Sequence, residues 1–511
     1  MKTATKSIRK DYLSGAKDLQ PFFQYAPSDQ DFSAAIARKA REDIDRKLLK
    51  AAIEEQYAGL EITEQTAHHI AQLDKETCFT VTTGHQLVLF GGPMFTTYKI
   101  LSAIKLAAQL QARYPDHQFV PIFWIHTEDH DFEEINHFYP SFQEKRTYFG
   151  QFKGAVGDHI LTDEISGLAP AHLPEALKAA YTSGKRMADA FRAYFNELFG
   201  HLGLVMLDAD HPGLKARFSR VLREEVESQA SYHAVNATSS ALMAAGYPLQ
   251  ISPREINLFL LDEQGRDRLD KQGNGFHRMG TEARFSAREM LNLIDKNPER
   301  FSPNVSLRPL YQEMILPNLA YFGGWGELSY WLQLKGVFDH FKVQFPRVLP
   351  RMSATLFTRE QLTAWEALGF IQEDIQQSQH QLYEGYMPQI WKDDPLFEIQ
   401  RNLYTHLDQL GAFLADEVDP LMKRSAEALK VKNQHFLKNL NKKVHRVIRH
   451  KHPKAFDEIA RLKQAIQPDR TVQERMLSLA SFPAHAPRQI IDLAWKHCEP
   501  LQFQHQYLIL E

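Results

Sequence analysis

The densest cluster of chemically reactive side chains in this sequence follows an apolar run that predicts a buried strand. His126, Glu128, Asp129, His130 and Asp131 lie within one short segment. Imidazoles and carboxylates this dense can supply a general base, orient a substrate amine or bind a divalent cation. The alternative is a solvated acidic helix start, which the helix dipole would stabilise. Because the segment follows a strand, we predict that Asp129, His130 and Asp131 take part in catalysis.

A second candidate site lies at the end of the preceding predicted strand. Residues 83–86, Thr-Gly-His-Gln, precede a turn containing Gly92 and Pro93 and then a predicted helix. Glycines let the backbone approach a phosphate, free N–H groups at a helix start favour anions, and His85 could donate a hydrogen bond to a phosphate oxygen. The alternative is a tight turn with a packed histidine. No GxGxxG motif follows this strand and no Walker A motif occurs, which argues against the common dinucleotide-binding and P-loop sites.

A third candidate segment contains Arg308 and, further along the chain, Gly326 and Glu327. Arg308 could bind a carboxylate or phosphate through two parallel hydrogen bonds. The glycines of residues 323–326 would permit a ligand to approach the backbone closely. The alternative is a buried ion pair between Arg308 and a structural carboxylate, next to a glycine-rich connector.

Metal, disulfide and nucleic-acid sites find little support in the sequence. The two cysteines, Cys78 and Cys498, are far apart and cannot build a disulfide framework or a four-thiolate zinc site. No HExxH motif is present, so we predict no metal site with these ligands. The basic run at residues 438–454 is more typical of the solvated face of a helix than of a nucleic-acid interface.

The elements that must position these residues alternate between strand and helix. Residues 78–83 and 119–125 are β-branched and aromatic and predict buried strands, and residues 97–112 between them predict a helix. Strand, crossover helix and strand form a βαβ unit, which indicates a parallel sheet and an α/β fold. We also predict a helix over residues 34–57, and further elements follow: a strand at residues 204–207, a hairpin beginning at 256–261, and a return to the core at 343–352.

A different pattern begins after about residue 357. Apolar residues recur at spacings of three and four, apart from one skipped position, and the pattern continues further along the chain, which is typical of a coiled coil. The first group is Leu403, Leu407, Leu410, Leu414 and Leu421, and the second is Phe436, Leu440, Val444 and Val447. Pro420 interrupts the pattern, so we predict two helical segments that meet there. Pro453 and Pro468 delimit a further helix, and residues 504–510 predict a strand that rejoins the core.

The overall composition indicates a protein of more than one domain. The chain has 511 residues, 43% of them hydrophobic and 24% charged, with a formal net charge of −3. Nothing in this balance marks the whole chain for nucleic acid or an anionic membrane. No apolar h-region follows the basic N-terminus, and no apolar run is long enough to cross a bilayer. We therefore predict a cytoplasmic protein with no membrane partner.

The same residues carry a resemblance to a known family. The matching run is Thr83-Gly84-His85-Gln86, Gly92-Pro93 and Tyr98-Lys99-Ile100, and then Pro121-Ile122-Phe123-Trp124 and Glu128-Asp129-His130-Asp131. Further matches lie at Arg308-Pro309-Leu310, Gly326-Glu327, Tyr330-Trp331 and Pro350-Arg351. This pattern resembles the BshC family, the cysteine-adding enzymes of bacillithiol biosynthesis. The resemblance covers essentially the whole chain, and its most specific element is the block at residues 128–131.

The resemblance implies a Rossmann-like core related to class I aminoacyl-tRNA synthetases, with connecting-peptide insertions, and an α-helical coiled-coil domain that forms a homodimer. On this basis we expect an N-terminal helical segment at residues 1–75 and a core at 76–356, with insertions at about 140–200 and 265–300. A coiled-coil arm would occupy residues 357–480, and residues 481–511 would return to the core.

The reaction that the resemblance implies is the last step of bacillithiol biosynthesis, in which the carboxylate of cysteine is joined to the amine of glucosaminyl-malate. Because amide formation from a free carboxylate is uphill in water, an activating cofactor is expected, and ATP is the natural choice. The enzyme would then be an ATP-dependent carbon–nitrogen ligase, with ATP or ADP at its site. One of Asp129, His130 and Asp131 would take the ammonium proton, His85 would stabilise phosphate or oxyanion charge, and Arg308 would bind the malate.

Together these arguments give one set of expected site residues. The expected catalytic residues are His85, Asp129, His130 and Asp131. The expected substrate- or cofactor-binding residues are Thr83, Gly84, Gln86, Gly92, Pro93, Lys99, His126, Glu128, Asn136, Arg308, Gly326 and Glu327. Two alternatives remain open: a metal-dependent hydrolase or nucleotidyl transferase that uses His126, His130 and Asp131, and a non-enzymatic, nucleotide-responsive coiled-coil scaffold.

Overall fold

The computed structural model describes residues 6–150, 154–262, 265–391, 395–468 and 471–511. The chain forms two compact units: Met1–Ala354 with Glu474–Gln506, and Thr355–Gln473 with Tyr507–Glu511. The expected return segment, residues 481–511, is therefore divided between the two units. Among the described helices, none is both long enough and apolar enough to span a membrane.

The strands are numbered in chain order. They are β1 (Cys78–His85), β2 (Gln118–Ile125), β3 (His137–Ser141), β4 (Glu144–Thr147), β5 (Val205–Asp208), β6 (Leu258–Asp262) and β7 (Gly265–Gln272). The remaining strands are β8 (Gly275–Arg278), β9 (Arg284–Ser286), β10 (Phe301–Pro303), β11 (Asn318–Gly323), β12 (Arg347–Pro350), β13 (Ser353–Thr358) and β14 (His505–Leu510).

The helices are numbered in the same way. The first helices in the chain are α1 (Ile8–Leu13), α2 (Ser33–Lys39), α3 (Arg46–Gln56), α4 (Glu64–Gln72), α5 (Met94–Arg113), α6 (Asp163–Gly167), α7 (Glu175–Ala180) and α8 (Met187–Phe199). They are followed by α9 (Pro212–Ala216), α10 (Ser219–Ser228), α11 (Ala230–Ala244), α12 (Ala287–Lys296), α13 (Arg308–Ile315), α14 (Trp325–Gln333) and α15 (Lys335–Phe341). The last helices are α16 (Arg359–Ala367), α17 (Gln379–Ile390), α18 (Pro395–Glu417), α19 (Met422–Lys451), α20 (Pro453–Ile466) and α21 (Pro487–His497).

The first unit is built on a parallel five-stranded sheet with the order β12-β11-β1-β2-β5. These strands are buried along almost their whole length, which explains why they read as continuous apolar runs. The predicted βαβ unit is confirmed as β1, α5 and β2. The chain first adds β2 and β5 on one side of β1, and later adds β11 and β12 on the other side. The strand order therefore reverses between β1 and β11, which is the position where open α/β sheets bind ligands.

An antiparallel sheet with the order β10-β6-β7-β8-β9 belongs to the same unit. Its first hairpin joins Leu258–Asp262 to Gly265–Gln272, as the sequence predicts. A smaller hairpin pairs β3 with β4. The antiparallel sheet matters for the site because β7 carries arginines that the sequence patterns do not connect with the parallel sheet.

The prediction of one continuous helix over residues 34–57 is wrong. The structure has α2 and α3 in this window, separated by residues 40–45. Asp45 caps α3, because its side chain accepts a hydrogen bond from the backbone N–H of Leu48 at 3.0 Å. Helix propensity averaged over the window is high throughout and does not detect an internal N-cap. The break also directs Lys39 at the end of α2 into the protein interior.

In the second unit, α18 and α19 form a helical hairpin. Gln400 Nε2 donates to Asn441 Oδ1 at 2.7 Å, and Lys430 Nζ lies 2.6 Å from Asp408 Oδ1, so residues further along one helix meet residues earlier in the other. The two helices are therefore antiparallel. The predicted break at Pro420 is confirmed, since α18 ends at Glu417 and α19 begins at Met422. The final strand is also confirmed, although β14 pairs with β13 and not with the five-stranded sheet.

A buried polar network holds α2 against the parallel sheet. Lys39 is fully buried, and its Nζ lies 2.7 Å from Glu42 Oε2 and 3.7 Å from Glu313 Oε2. Asn318 donates to Glu313 Oε1 at 2.7 Å and accepts from Thr82 at 2.8 Å. Burial raises the pKa of Glu313 to about 7, and the Lys39 charge opposes that rise. The network joins α2, α13, β11 and β1, so it fixes the two strands on either side of the point where the strand order reverses.

Replacing Lys39 by Met should destabilise the first unit by about 3 kcal/mol, because two carboxylates lose their buried cation. The measurement is the unfolding transition of the full chain, followed by denaturant titration. The double variant Lys39→Met/Glu313→Gln should recover a large part of the loss, because it removes one of the two uncompensated charges. Equal stability of the single variant and the wild type would contradict the role given to this network.

Candidate active site

The predicted site segments meet at the carboxyl edge of the parallel sheet. β1 ends at His85, β2 is followed directly by His126, and β11 is followed by Gly324 at the start of α14. Since parallel strands end on the same side of a sheet, all three candidate segments of the sequence come to one edge. They lie next to the position where the strand order reverses.

Gly84 allows β1 and the segment after β2 to approach each other closely. It pairs with Trp124 in the sheet, and a Cβ atom placed on Gly84 would lie 2.9 Å from Trp124 O and 3.2 Å from His126 Nε2. Any larger side chain would therefore displace the His126 ring. The glycine is needed for space at this point of the sheet.

A buried ion pair connects the ends of β1 and β11. Lys99 lies on α5, is only 2% exposed, and donates through Nζ to Gly84 O at 2.9 Å. The same Nζ lies 2.6 Å from Glu327 Oε2. Glu327 also accepts hydrogen bonds from the Gly324 N–H at 2.8 Å and from the Tyr321 hydroxyl at 2.9 Å. Burial lowers the pKa of Lys99, whereas the pKa of Glu327 lies below its usual value because Lys99 and these hydrogen bonds outweigh the effect of burial.

His85 is a neutral imidazole at physiological pH. Burial and then the Lys99 charge lower its pKa to about 4. Its Nδ1 lies 3.2 Å from the carbonyl oxygen of Gln86, which can only accept, so this nitrogen carries the proton. The remaining ring nitrogen, Nε2, is then an acceptor. This arrangement differs from the expectation that His85 donates a hydrogen bond to a phosphate.

His126 lies beside His85 and is also neutral. Its backbone N–H donates to His85 O at 3.2 Å. Its Nε2 is buried and, within the described ranges of the chain, has no hydrogen-bond partner. Burial, followed by the charge of Arg308, holds the pKa of His126 well below its usual value.

The segment after His126 is a loop and not a helix, so His126 and His130 do not share a helical face. Asp129 Oδ2 accepts from Gln86 Nε2 at 2.8 Å, and its Oδ1 accepts from the His130 N–H at 2.8 Å. Burial raises the pKa of Asp129, but the Gln86 hydrogen bond and the Arg266 charge outweigh it, so the net shift is downward. His130 is half exposed and its Nδ1 lies 2.9 Å from Arg266 Nη1, while Asp131 is exposed.

Glu128 fixes this loop through a buried ion pair. Its Oε1 lies 2.6 Å from the buried Lys215 Nζ, which also lies 2.5 Å from Asp210 Oδ1 and donates to Glu299 O at 2.8 Å. Burial raises the pKa of Glu128, and the Lys215 charge opposes that rise. In the part of the chain that the structure describes, no group of three or more His, Cys, Asp or Glu side chains could hold a metal ion.

Two cavities open along this edge of the first unit. The switch-point cavity has a volume of about 640 Å³ and is lined by groups that include His85, Lys99, Glu327 and Arg351. The arginine cavity has a volume of about 740 Å³ and is lined by Asp129, His130 and Asp131 together with the set Arg254, Arg266, Arg268 and Arg308. The residues common to both cavities are Gln86, His126, Glu134, Val305 and Tyr330. The two cavities therefore form one cleft with a shared middle.

Arg308 is available to a ligand in this cleft. Its Nη1 donates to Gln312 Oε1 at 3.1 Å, and its guanidinium lies 5.9 Å from the centre of the Tyr321 ring. Its Nη2 is buried with no hydrogen-bond partner among the described residues. Burial lowers the pKa of Arg308, but the electrostatic effects of Tyr330 and Tyr321 and a hydrogen bond with Tyr330 outweigh it, so the pKa is raised and Arg308 remains charged. Arg308 takes part in none of the ion pairs between described residues, so the alternative interpretation, an ion pair of Arg308 with a structural carboxylate, is wrong for this part of the chain.

Several expected site residues lie outside the cleft. Thr83 donates to Phe322 O at 2.8 Å and ties β1 to β11. Gly92 and Pro93 line neither cavity, and the Met94 N–H at the start of α5 already donates to Leu477 O at 2.7 Å. Asn136 also lies outside, with its carbonyl oxygen accepting from the Tyr148 N–H at 2.8 Å.

The cleft also contains residues that are absent from the set of expected site residues. Tyr330 belongs to the family resemblance and lies three residues after Glu327, so helical spacing places both on one side of α14. Arg266 lies on β7 and reaches Asp129 and His130 only through the tertiary fold, so no local pattern could identify it. The same holds for Glu474, which lines neither cavity but pairs with Arg351 at 2.7 Å across a long stretch of chain.

Comparison with known proteins gives matches over almost the whole chain. Residues 1–352 match the family model "Bacillithiol biosynthesis BshC, N-terminal Rossmann-like domain", and residues 354–510 match "Bacillithiol biosynthesis BshC, C-terminal coiled-coil domain". A protein of Cytophaga hutchinsonii is 34% identical over 503 residues, which cover 98% of this chain and 96% of that protein. A protein of Flavobacterium johnsoniae is 34% identical over 96% of this chain and 95% of its own length. Both carry the name "Putative cysteine ligase BshC".

Replacing Gly84 by Ala should lower the stability of the first unit by about 1–3 kcal/mol, because the new methyl group collides with backbone and with the His126 ring. Gly326→Ala is the matched control: it lies on α14, and its added methyl group would meet no atom within 4 Å. The control should be neutral or slightly stabilising, since alanine favours a helix over glycine. Thermal denaturation of the two variants measures the difference, and equal melting temperatures would contradict the close approach at Gly84.

Proposed function

This chain belongs to the bacillithiol biosynthesis BshC family, and we propose that it is a ligase joining the carboxylate of cysteine to the amine of glucosaminyl-malate. The product would be the amide formed in the last step of bacillithiol biosynthesis, in the cytoplasm. The name of the related proteins supports the choice of cysteine as one substrate.

The observation that carries this proposal is the cleft made of two chemically different cavities with a shared middle. A ligation needs two substrates whose reacting ends meet while their other ends are held apart. The switch-point cavity, at about 640 Å³, has room for the substrate that is activated, and the arginine cavity, at about 740 Å³, has room for the acceptor. Their shared residues, His126 and Tyr330 among them, would then surround the bond that forms.

The switch-point cavity is suited to an activating nucleotide together with cysteine. It lies where open α/β sheets bind nucleotides, and the start of α14 lines it with Gly324 and Gly326. Arg351 and Arg475 contribute positive charge to its wall. ATP would supply the energy for amide formation by activating the cysteine carboxylate. The Lys99–Glu327 pair would hold the two strand ends at the spacing that the nucleotide needs.

The arginine cavity is suited to the malate part of the acceptor. Malate carries two carboxylates, and arginine binds such groups through parallel, charge-assisted hydrogen bonds. Arg308 offers its unpartnered Nη2 here, and the Arg254 side chain is exposed to the cavity. Arg266 already contacts protein groups, since its Nη1 lies 2.9 Å from His130 Nδ1 and its guanidinium lies 3.8 Å from the centre of the Phe259 ring.

The ligase proposal is tested by incubating purified protein with cysteine, glucosaminyl-malate and ATP and searching for bacillithiol by mass spectrometry. Product should form only when all three are present, and AMP or ADP should appear in a one-to-one ratio with it. A hydrolase would instead consume a substrate without joining it to cysteine. The absence of product, while a proven enzyme forms it in the same mixture, would refute the proposal.

Replacing Arg254 by Gln should raise the KM for glucosaminyl-malate about tenfold and leave kcat within about twofold, because a charge-assisted contact to a carboxylate is lost far from the reacting bond. Arg220→Gln is the matched control, since Arg220 is also exposed and lines neither cavity. Steady-state kinetics with each substrate varied in turn separate the two parameters. A rise in the KM for cysteine instead would assign Arg254 to the other substrate.

We also propose that the helical arm forms a homodimer. α18 and α19 expose large apolar side chains along their length, including Leu403 and Leu410 on α18 and Leu429 and Phe436 on α19, which are seven residues apart on each helix. Such a row is costly in water unless a second surface covers it, and its heptad-like spacing is suited to another helical arm. The second copy of this chain is the partner that presents the same spacing.

Phe436→Glu should weaken the dimer, because it places a charge in the apolar contact. Light scattering after size-exclusion chromatography should give a mass near twice the 58.9 kDa chain for the wild type and a lower average for the variant. Lys438→Glu, which changes an exposed position two residues away, should remain dimeric. A wild-type protein with the mass of one chain would contradict the homodimer.

A further inference from the structure

His126 lies in the middle of the cleft, and its ring nitrogen Nε2 makes no hydrogen bond with the described residues. It is one of the residues common to the switch-point cavity and the arginine cavity. Its Nε2 is buried without a hydrogen-bond partner in the described part of the chain, which costs free energy unless a ligand supplies the partner. The close approach permitted by Gly84 holds the ring in this position.

Burial disfavours a proton on the His126 ring, and the charges of Arg308, Lys99 and Arg266 act in the same direction, so the pKa of His126 lies well below its usual value. The same cations would disfavour an ammonium ion placed next to the ring and would favour the neutral amine. A neutral amine is the nucleophile that a ligation requires.

The candidate bases of the acidic loop after β2 are less suited to this task. Asp129 already accepts from Gln86 and from the His130 N–H and faces Arg266, and its pKa lies below the usual value. His130 has its Nδ1 engaged by Arg266. Asp131 is exposed and lines only the arginine cavity.

Building on the ligase function proposed above, we propose that His126 binds the attacking amine of the acceptor and takes its proton as the carbon–nitrogen bond forms. The amine nitrogen attacks the carbonyl carbon of the cysteine carboxyl group, which has been activated by a nucleoside triphosphate as a mixed anhydride with phosphate, with release of pyrophosphate or of the nucleoside diphosphate. The bond from that carbon to the phosphate oxygen breaks, and its electron pair leaves with the phosphate. The proton passes from nitrogen to His126 Nε2 and then to water in the open cleft.

This assignment moves the base from the acidic loop to the end of β2. The weak basicity of His126 is sufficient, because the proton becomes strongly acidic once the nitrogen has begun to bond to carbon. Asp129, His130 and Asp131 then shape the wall of the acceptor cavity.

A binding experiment tests the amine contact without any turnover. Calorimetry compares glucosaminyl-malate with its deoxy analogue, which carries a hydrogen atom in place of the amine, on the wild type and on His126→Ala. The wild type should prefer the amine about tenfold, and the variant should bind both equally, because the partner of the amine has been removed. An unchanged preference in a folded His126→Ala variant would overturn the proposal.

The matched control is His201→Gln. Burial lowers the pKa of His201 to about 4, so it is also a neutral histidine, but it lines neither cavity. This variant should keep the preference for the amine. Loss of the preference in both variants would indicate a general disturbance of the fold and would overturn the specific role of His126.

Turnover then tests the proton transfer. His126→Gln, which keeps a hydrogen-bonding group but cannot carry the proton away, should lower kcat about 100-fold or more while the KM for the acceptor changes little. Wild-type kcat in this variant would overturn the role as base. If the wild type forms no amide but prefers the amine only when His126 is present, the ligase function fails and the amine contact stands.

A measurement on the unaltered protein guards against a folding defect in the variants. In protein labelled with ¹⁵N-histidine, the Nε2 signal of His126 should move when glucosaminyl-malate is added and remain in place with the deoxy analogue. Equal shifts with both ligands, or none with either, would overturn the contact.

Discussion

The buried ion pair between Lys99 and Glu327 is the interaction on which the geometry of the cleft depends. Removing two charges from water is costly, and such a pair persists only if its remaining hydrogen-bonding capacity is used. Here Lys99 also donates to Gly84 O, and Glu327 accepts from Gly324 and Tyr321. The pair thus connects the end of β1 to the start of α14, which are the two walls of the gap where the strand order reverses.

The same ion pair shapes the protonation states nearby. Lys99 lowers the pKa of His85 and, together with Arg308, that of His126. Two imidazoles at the centre of the cleft are therefore kept neutral by burial and by cations whose positions are set by the backbone. Electrostatics and strand geometry are coupled in this way: a shift of α5 would move the Lys99 charge, which lowers the pKa of both imidazoles.

The sequence predicts the parallel sheet and the location of the site better than it predicts the contacts and role of each site residue. β1, α5 and β2 have clear periodic patterns, and residues at strand ends such as His85 and His126 must reach one edge of the sheet. The partners of these residues come from distant parts of the chain, and no local pattern contains them. Arg266, which engages His130 from β7, is an example. The prediction of one helix over residues 34–57 is wrong for a local reason, because helix propensity averaged over the window does not reveal the capping residue Asp45. The synthetase relationship, the nucleotide and the homodimer stay predictions.

The contact between Leu477 and the start of α5 has a consequence for biosynthesis. Residues 474–506 belong to the first unit, yet the ribosome releases them only after Thr355–Gln473 of the second unit has been made. Until then the Met94 N–H lacks the carbonyl of Leu477, and Arg351 lacks Glu474. Domains commonly fold as they emerge during translation, but this one must wait for its closing segment and bear the entropy of a loop of more than a hundred residues. A nascent or prematurely terminated chain would therefore carry an unfinished cleft.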